Sequence, residues 1–481
     1  MRIVQLTRRV FLAAAAAQLA AACDSDDDPV TTSSGGGGTA GGGGAGGAGG
    51  AGGSGTGGAG GSGPTEPGPE PDPWEAPGLE DLGAFAWGVQ VGDAMPTSVL
   101  VSARILEPSA APTVMKGVES GWEEVASGQL YDPVDGVVHF ELTDLVPDTT
   151  YSIALYGPGG IRRSRVTRFR TAVPAGASRI IRFGATSGMG PANEPWPNLS
   201  QSLPERLDFF LLLGDTIYAD YAPNQFVYVE KYKTALSLPG MNDTTAGTSL
   251  VATWDDHEID DNWSWSTPGM QQTFDEALAA FRQAIPYRQG PGVTGLWRKL
   301  SWGDALDLFV LDCRSERLNG NYVSPEQLTW LEQSLLSSTA TFKVIVNSVP
   351  IFDFAGTIMQ SLGVDDRWQG FPAQRSQILQ FIRDQNVTGV VWISGDVHFA
   401  AIGQVDIVGG PGDDLWDVLV GPCGSAVNPA AYLMEVTENM PILVADFSTT
   451  FFEADPDAGT LRCRFVGDAG QTLADHTLQV L

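Results

Sequence analysis

From Arg179 onward, short apolar runs that stop abruptly at polar residues alternate with stretches of helical spacing, and this restricts the fold more than any other feature of the chain. The runs are Ile180 to Gly184, Phe209 to Leu213, Leu250 to Thr253, Leu306 to Leu311, Lys343 to Val346 and Gly389 to Ile393. Such runs are too short for helices and too continuous for one-sided strands, so they predict strands covered on both faces. The segments between them supply the cover. Ser324-Pro325-Glu326-Gln327 offers a cap, a proline at the first helical position and a glutamine three residues on, opening a helix over Leu328 to Leu336. Phe274 to Ile285 and Arg375 to Phe381 repeat their apolar residues at helical spacing. The order predicts an α/β domain over residues 174–481.

Ligands of open α/β sheets bind at the carboxyl ends of the strands, so the residues just after these runs carry most weight. Three ends hold acids and histidines together: Gly214-Asp215-Thr216-Ile217-Tyr218-Ala219-Asp220, Trp254-Asp255-Asp256-His257-Glu258-Ile259-Asp260-Asp261-Asn262 and Ser394-Gly395-Asp396-Val397-His398. The chain has 4 histidines, and two of them are here. Carboxylates this close would push one another toward protonation unless a cation shared the site. Oxygen donors with a few imidazoles suit Mn, Fe, Zn, Mg or Ca, and one carboxylate can bridge two ions about 3.5–4 Å apart, the arrangement that clamps an in-line phosphoryl displacement. Gly184 to Gly188 does not form the turn of a serine-hydrolase nucleophile.

Ahead of this region, residues 83–173 read as short alternating strands separated by Gly, Pro and Asp, the pattern of an all-β sandwich. His139 lies in one of them without an acidic or histidine companion at ligand spacing, and reads as a strand residue. The run Asn262-Trp263-Ser264-Trp265 reads as packing rather than as an entrance. Further upstream, residues 23–82 form a linker in which 20 of the 29 residues from Gly35 to Gly63 are glycine, so it builds no core and is expected to be disordered.

Residues 1–22 carry Arg8-Arg9-Val10-Phe11-Leu12 before an apolar stretch too short to span a bilayer, the order of a twin-arginine signal peptide. Leu19-Ala20-Ala21-Ala22-Cys23 resembles a lipobox, which makes Cys23 a lipidation candidate; cleavage after Ala22 into a soluble product is the alternative. The expected location is periplasmic or cell-surface, with a membrane met only through a lipid on Cys23. With the leader lost and Cys23 lipidated, Cys313, Cys423 and Cys463 remain, an odd number, with Cys423–Cys463 a conceivable pair. Net charge is -30, from 27 basic and 57 acidic side chains, which repels polyanions and argues against a partner held through a nucleic-acid backbone.

Taken together, the blocks Gly214 to Tyr218, Trp254 to Glu258, Leu311-Asp312-Cys313-Arg314-Ser315-Glu316-Arg317 and Ser394 to His398 resemble the signatures of PhoD-type alkaline phosphatases, in the calcineurin-like metallophosphoesterase superfamily. Leu145 to Tyr151 resembles the tyrosine-corner entry of a fibronectin type III-like domain. The resemblance implies a four-layer α/β/β/α metallophosphoesterase domain preceded by a β-sandwich. It implies an exported hydrolase of small phosphate monoesters or diesters working through a metal-bound hydroxide, with two or more metal ions, iron and calcium by family and Mn, Zn or Mg as alternatives. By position, Asp215 would bridge the ions, with Tyr218, Asp256, Asp396, His398 and Ser187 as further ligands. His257 would be the general acid, suited by a side chain titrating near neutrality. Asp255, Glu258 and Asn262 would support the ligands. Arg314 and Arg317 would offer phosphate a local positive charge, with a structural pairing of an arginine to Asp312 equally open.

One position departs from the pattern. The family places Ser-Cys after the first strand, whereas this chain has Ala185-Thr186-Ser187-Gly188. Either the neutral Ser187 binds weakly, or Asp220, Asp260, Asp261 or Cys313 takes the place, or one ion site is degraded. A phospholipase D-like phosphodiesterase and a catalytically weakened, surface-tethered metal- or ligand-binding module are the alternatives to the phosphatase reading.

Overall fold

All six apolar runs are strands in the computed structural model, which describes residues 70–480: Ile181–Thr186, Phe209–Leu213, Ser249–Thr253, Leu306–Val310, Phe342–Val346 and Val390–Ser394. The signal segment 1–22, Cys23 and the glycine-rich tract lie outside the described residues. The first three strands pair in parallel in a nine-stranded sheet, and the last three in parallel in a seven-stranded sheet. Parallel pairing brings their carboxyl ends to one edge of each sheet, which is what gathers three separate sequence blocks.

Alternation along each strand sets the layers. Phe209, Leu211 and Leu213 pack toward the other sheet with Leu306, Leu308 and Val310, forming a core between the sheets. Phe210 and Leu212 face Tyr232, Phe274 and Phe281 on helices Gln225–Ser237 and Met270–Ala284. On the second sheet, Phe309, Ile345 and Trp392 face Leu331 and Ile378 on helices Pro325–Ser337 and Pro372–Asp384. The result is helix, sheet, sheet, helix. Each fully buried Leu, Phe or Ile contributes about 1.5–3 kcal/mol, which is why five-residue strands hold. Helix Pro325–Ser337 begins where the sequence predicts, with the Ser324 side chain accepting from the Gln327 backbone N–H at 3.1 Å.

The β-sandwich is present, with a tyrosine corner in which the Val146 N–H donates to the Tyr151 hydroxyl at 2.8 Å. Its junction differs from a boundary at 173/174. One sheet, built on Ala111–Val118, Gly121–Ser127 and Thr150–Tyr156, belongs to the sandwich alone. The facing strands Gln90–Gly92, Val99–Arg104 and Val137–Leu142 instead extend the nine-stranded sheet that holds Phe209–Leu213 and Ser249–Thr253, with Gly92 opposite Leu250. An uncovered edge on Ser249–Thr253 would expose unpaired backbone groups, and Gln90–Gly92 covers it. A buried bidentate pair, Arg298 Nε and Nη2 to Asp93 at 2.7 and 2.8 Å, fastens the same junction. The described residues accordingly fall in one compact unit.

Candidate metal centre

The turn after Phe209–Leu213 and the turn after Ser249–Thr253 nearly touch. Gly214 has φ 91°, and a Cβ there would lie 2.4 Å from the Asp255 Cβ, so only glycine permits the approach. The Glu258 carboxylate then staples the two turns, accepting from the backbone N–H groups of Asp215 at 2.9 Å, Thr216 at 2.6 Å and Asp255 at 2.9 Å. Burial, with the neighbouring Asp215 and Asp255 charges, pushes Glu258 up to about 8. Glu258 thus ties the two turns to each other.

Around Asp215 the sequence-predicted ligands assemble. The Tyr218 hydroxyl donates to Asp215 Oδ2 at 3.1 Å and lies 2.9 Å from His398 Nε2, which is itself 3.6 Å from Asp215 Oδ2. Ser425 donates to the same Tyr218 hydroxyl. Burial and Asp215 hold the Tyr218 phenol well above its ordinary pKa. Ser187 is 1% exposed, and the Gly188 that follows it has no room for a Cβ without pressing on His398. Asp215 Oδ1 and Ser187 Oγ are both buried with no hydrogen-bond partner among the described residues. Unpaired buried oxygens cost about 1–3 kcal/mol each, and a cation would satisfy them. Asp215, Asp256 and His257 offer donor atoms within 4.8 Å of one another, as do Asp255, Asp256 and Asp396. The donor set fits a hard or borderline metal ion.

His257 is pinned from behind. Its Nδ1 lies 2.8 and 2.9 Å from the two Asp220 carboxylate oxygens, which leaves Nε2 for the site. Burial alone would lower its pKa, but Asp256, Asp215 and Asp220 together raise it to about 11, so the imidazole carries its proton. Burial alone would raise Asp256, yet Arg314 and His257 hold it below the ordinary carboxylate range. The Asn262 N–H donates to Asp256 Oδ2 at 2.7 Å and fixes that carboxylate. Burial and the Asp255 and Asp366 charges raise Asp396 well above its ordinary value.

The arginines fall elsewhere than expected. Arg314 is 1% exposed and forks onto Asp255, Nε to Oδ1 at 2.5 Å and Nη2 to Oδ2 at 3.0 Å, rather than facing solvent where a phosphate would enter. The catalytic, phosphate-contacting role assigned to Arg314 is therefore replaced by anchorage of Asp255. Its backbone N–H, not its guanidinium, reaches Asp312, at 3.2 Å. Arg317 is nearer the surface and donates to Asp366 Oδ1 at 2.8 Å and to the Trp263 carbonyl at 3.1 Å.

None of the substitutes weighed for Ser187 moves in. Asp220 is engaged with His257, Asp260 accepts from the Tyr221 N–H at 2.9 Å, and Asp261 accepts from Asn262 at 2.8 Å. Cys313 is buried with its thiol 2.8 Å from Asn347 Oδ1, and burial followed by the Asp255 charge pushes it up to about 12. Cys313, Cys423 and Cys463 are all free, so Cys423–Cys463 is not formed. Trp263 is buried against Trp265 and Phe274, as packing. His139 sits in its strand with a ring nitrogen 3.0 Å from the Gln283 carbonyl.

Sequence reasoning missed three contributors. Asp220 as the partner of His257 had a signal, since it follows Asp215 on the same loop. Asp366 and Ser425 had none, because they reach the site from segments remote in sequence.

Residues 184–467 match the family model of PhoD-like phosphatases. Alkaline phosphatase D of Bacillus subtilis (strain 168) is 28% identical over 244 residues, 40% of this chain and 42% of that protein, so the match spans less than half of that relative. A solved structure of PhoD superposes with a TM-score of 0.70 at 20% identity, over 84% of this chain and 90% of that one. Purple acid phosphatase PPD1 from yellow lupin (Lupinus luteus) seeds superposes with a TM-score of 0.57 at 15% identity, over 82% and 74%. At these identities the structural likenesses speak for the fold.

Proposed function

Because this chain belongs to the PhoD-like phosphatase family, we propose that it is an exported, metal-dependent hydrolase of small phosphate monoesters or diesters, with His257 as general acid. The observation that carries the reading is His257 held by Asp220 beside Asp215, whose Oδ1 is buried and unpartnered among the described residues. Asp215, Ser187, Tyr218, His398, Asp256 and Asp396 would hold the ions. When bound, these would polarise the ester and supply an activated water.

The chain's own residues do the rest. Asp220 fixes the ring so that Nε2 points into the site, and the surrounding carboxylates keep the proton on until a leaving oxygen takes it. Glu258 holds the Asp215 and Asp255 turns together, so the ligands are pre-positioned. Arg317, the more exposed of the two arginines, is the local cation for an incoming phosphate; the general field of the protein is repulsive to it. Export by the twin-arginine route, with Cys23 as lipid anchor, is part of the proposal.

The test is elemental analysis of the full chain beside Asp215→Asn, followed by a monoester and diester screen with His257→Ala. Two or more ions lost in the first variant and turnover lost in the second are expected. A wild-type chain without ions overturns the reading. In that event the neutral Ser187 at a ligand position favours the weakened binding module.

A further inference from the structure

The two acidic clusters share Asp256 but differ in what neutralises them. In the Asp215, Asp256 and His257 cluster, Asp215 Oδ1 is buried without a partner among the described residues. In the Asp255, Asp256 and Asp396 cluster a guanidinium is already in place. Arg314 Nη2 lies 3.0 Å from Asp255 Oδ2, 3.4 Å from Asp256 Oδ1 and 3.8 Å from Asp396 Oδ1. Its Nε donates to Asp255 Oδ1 at 2.5 Å, where the Ser348 hydroxyl also donates at 2.9 Å, and its Nη1 donates to Asp366. Both Asp255 oxygens are thereby satisfied, and its side chain and that of Arg314 are 1% and 0% exposed.

We propose that Arg314 is a built-in cation that occupies the space between Asp255, Asp256 and Asp396, so that these three carboxylates take up no additional metal ion among them, and Asp256 and Asp396 serve only ions shared with Asp215. The inference rests on the metal-dependent reading above, which it narrows. A guanidinium suits the position because it cannot lose its proton and its fork matches Asp255 bidentately. It fixes one positive charge among carboxylates that would otherwise repel, and does so without competing for free ions. Asp366, donating nothing and accepting from both Arg314 and Arg317, holds the guanidinium from the far side.

Ion content per full-length chain, measured after dialysis against Mn2+ or Ca2+, tests this for wild type, Arg314→Met and Asp255→Asn. Arg314→Met is expected to bind one ion more than wild type, and to recover thermal stability on adding the ion by a larger margin than wild type does. An unchanged count with no such recovery overturns the proposal. Should Arg314→Met fail to fold, Asp255→Asn decides: its count equals wild type if Arg314 owns the cluster, and a loss of one ion overturns it. A merely structural arginine would not raise the count. Absence of ester hydrolysis leaves these outcomes untouched, whereas a wild type without ions whose Arg314→Met variant gains one would remove the phosphatase reading and keep this one.

Discussion

Replacing Asp220 with asparagine separates what His257 does from where it sits. The amide is nearly isosteric and keeps an acceptor for Nδ1, so the ring stays in place while one of the three carboxylates that raise His257 to about 11 disappears. A hydrogen bond to a charged partner contributes about 1.5–3 kcal/mol, and about 1.36 kcal/mol corresponds to one pH unit. The His257 pKa is therefore expected to fall by about 1–2 pH units. His257 acts in its protonated form, so activity is lost as pH rises through this pKa, and the alkaline limb of the rate profile moves to lower pH by the same interval. For esters with poor leaving groups, which need the proton, kcat is expected to drop by up to about 10- to 100-fold at a pH between the lowered and the wild-type pKa, where the variant has shed the proton that wild type still holds. Esters of acidic phenols, which leave without help, are expected to change by less than about threefold. The assay is kcat against pH for a leaving-group series in wild type and Asp220→Asn. Equal losses across the series, or an alkaline limb that stays where it was, would refute the general-acid assignment.

Two other substitutions probe the scaffold. Gly214→Ala places a Cβ 2.4 Å from Asp255 Cβ at φ 91° and is expected to cost at least about 2 kcal/mol in denaturant unfolding; an unchanged midpoint would mean that the two turns can part. Asp417 is buried, accepts from Ser394 at 2.7 Å and from the Ile351 and Phe352 N–H groups, and is pushed up by burial to about 6. Its folded form binds a proton that the unfolded form has released, so stability falls as pH rises from about 4 to 6, by up to about 3 kcal/mol. Asp417→Asn is expected to flatten that part of the urea-unfolding profile, and a slope equal to wild type would remove Asp417 as its source.

The strands and their layers were legible because each run is apolar on both faces and ends where the chain turns polar, a local pattern that burial turns into a parallel sheet. The acidic and histidine blocks were legible for the same reason: Asp215, Asp256, His257, Asp396 and His398 each follow such a run within a few residues. The tertiary structure decided what depends on meetings between distant segments. That the sandwich shares its second sheet with the strands that carry the acidic blocks follows from Gly92 pairing beside Leu250, across more than 150 residues of sequence. That Arg314 lies beneath the site rather than at its mouth follows from Asp255 and Asp366 closing on it from two other segments. A single residue's chemistry is carried in its side chain, but whether that charge meets substrate or is consumed by a buried partner is set by packing, since desolvation makes an unpaired buried charge too costly to leave.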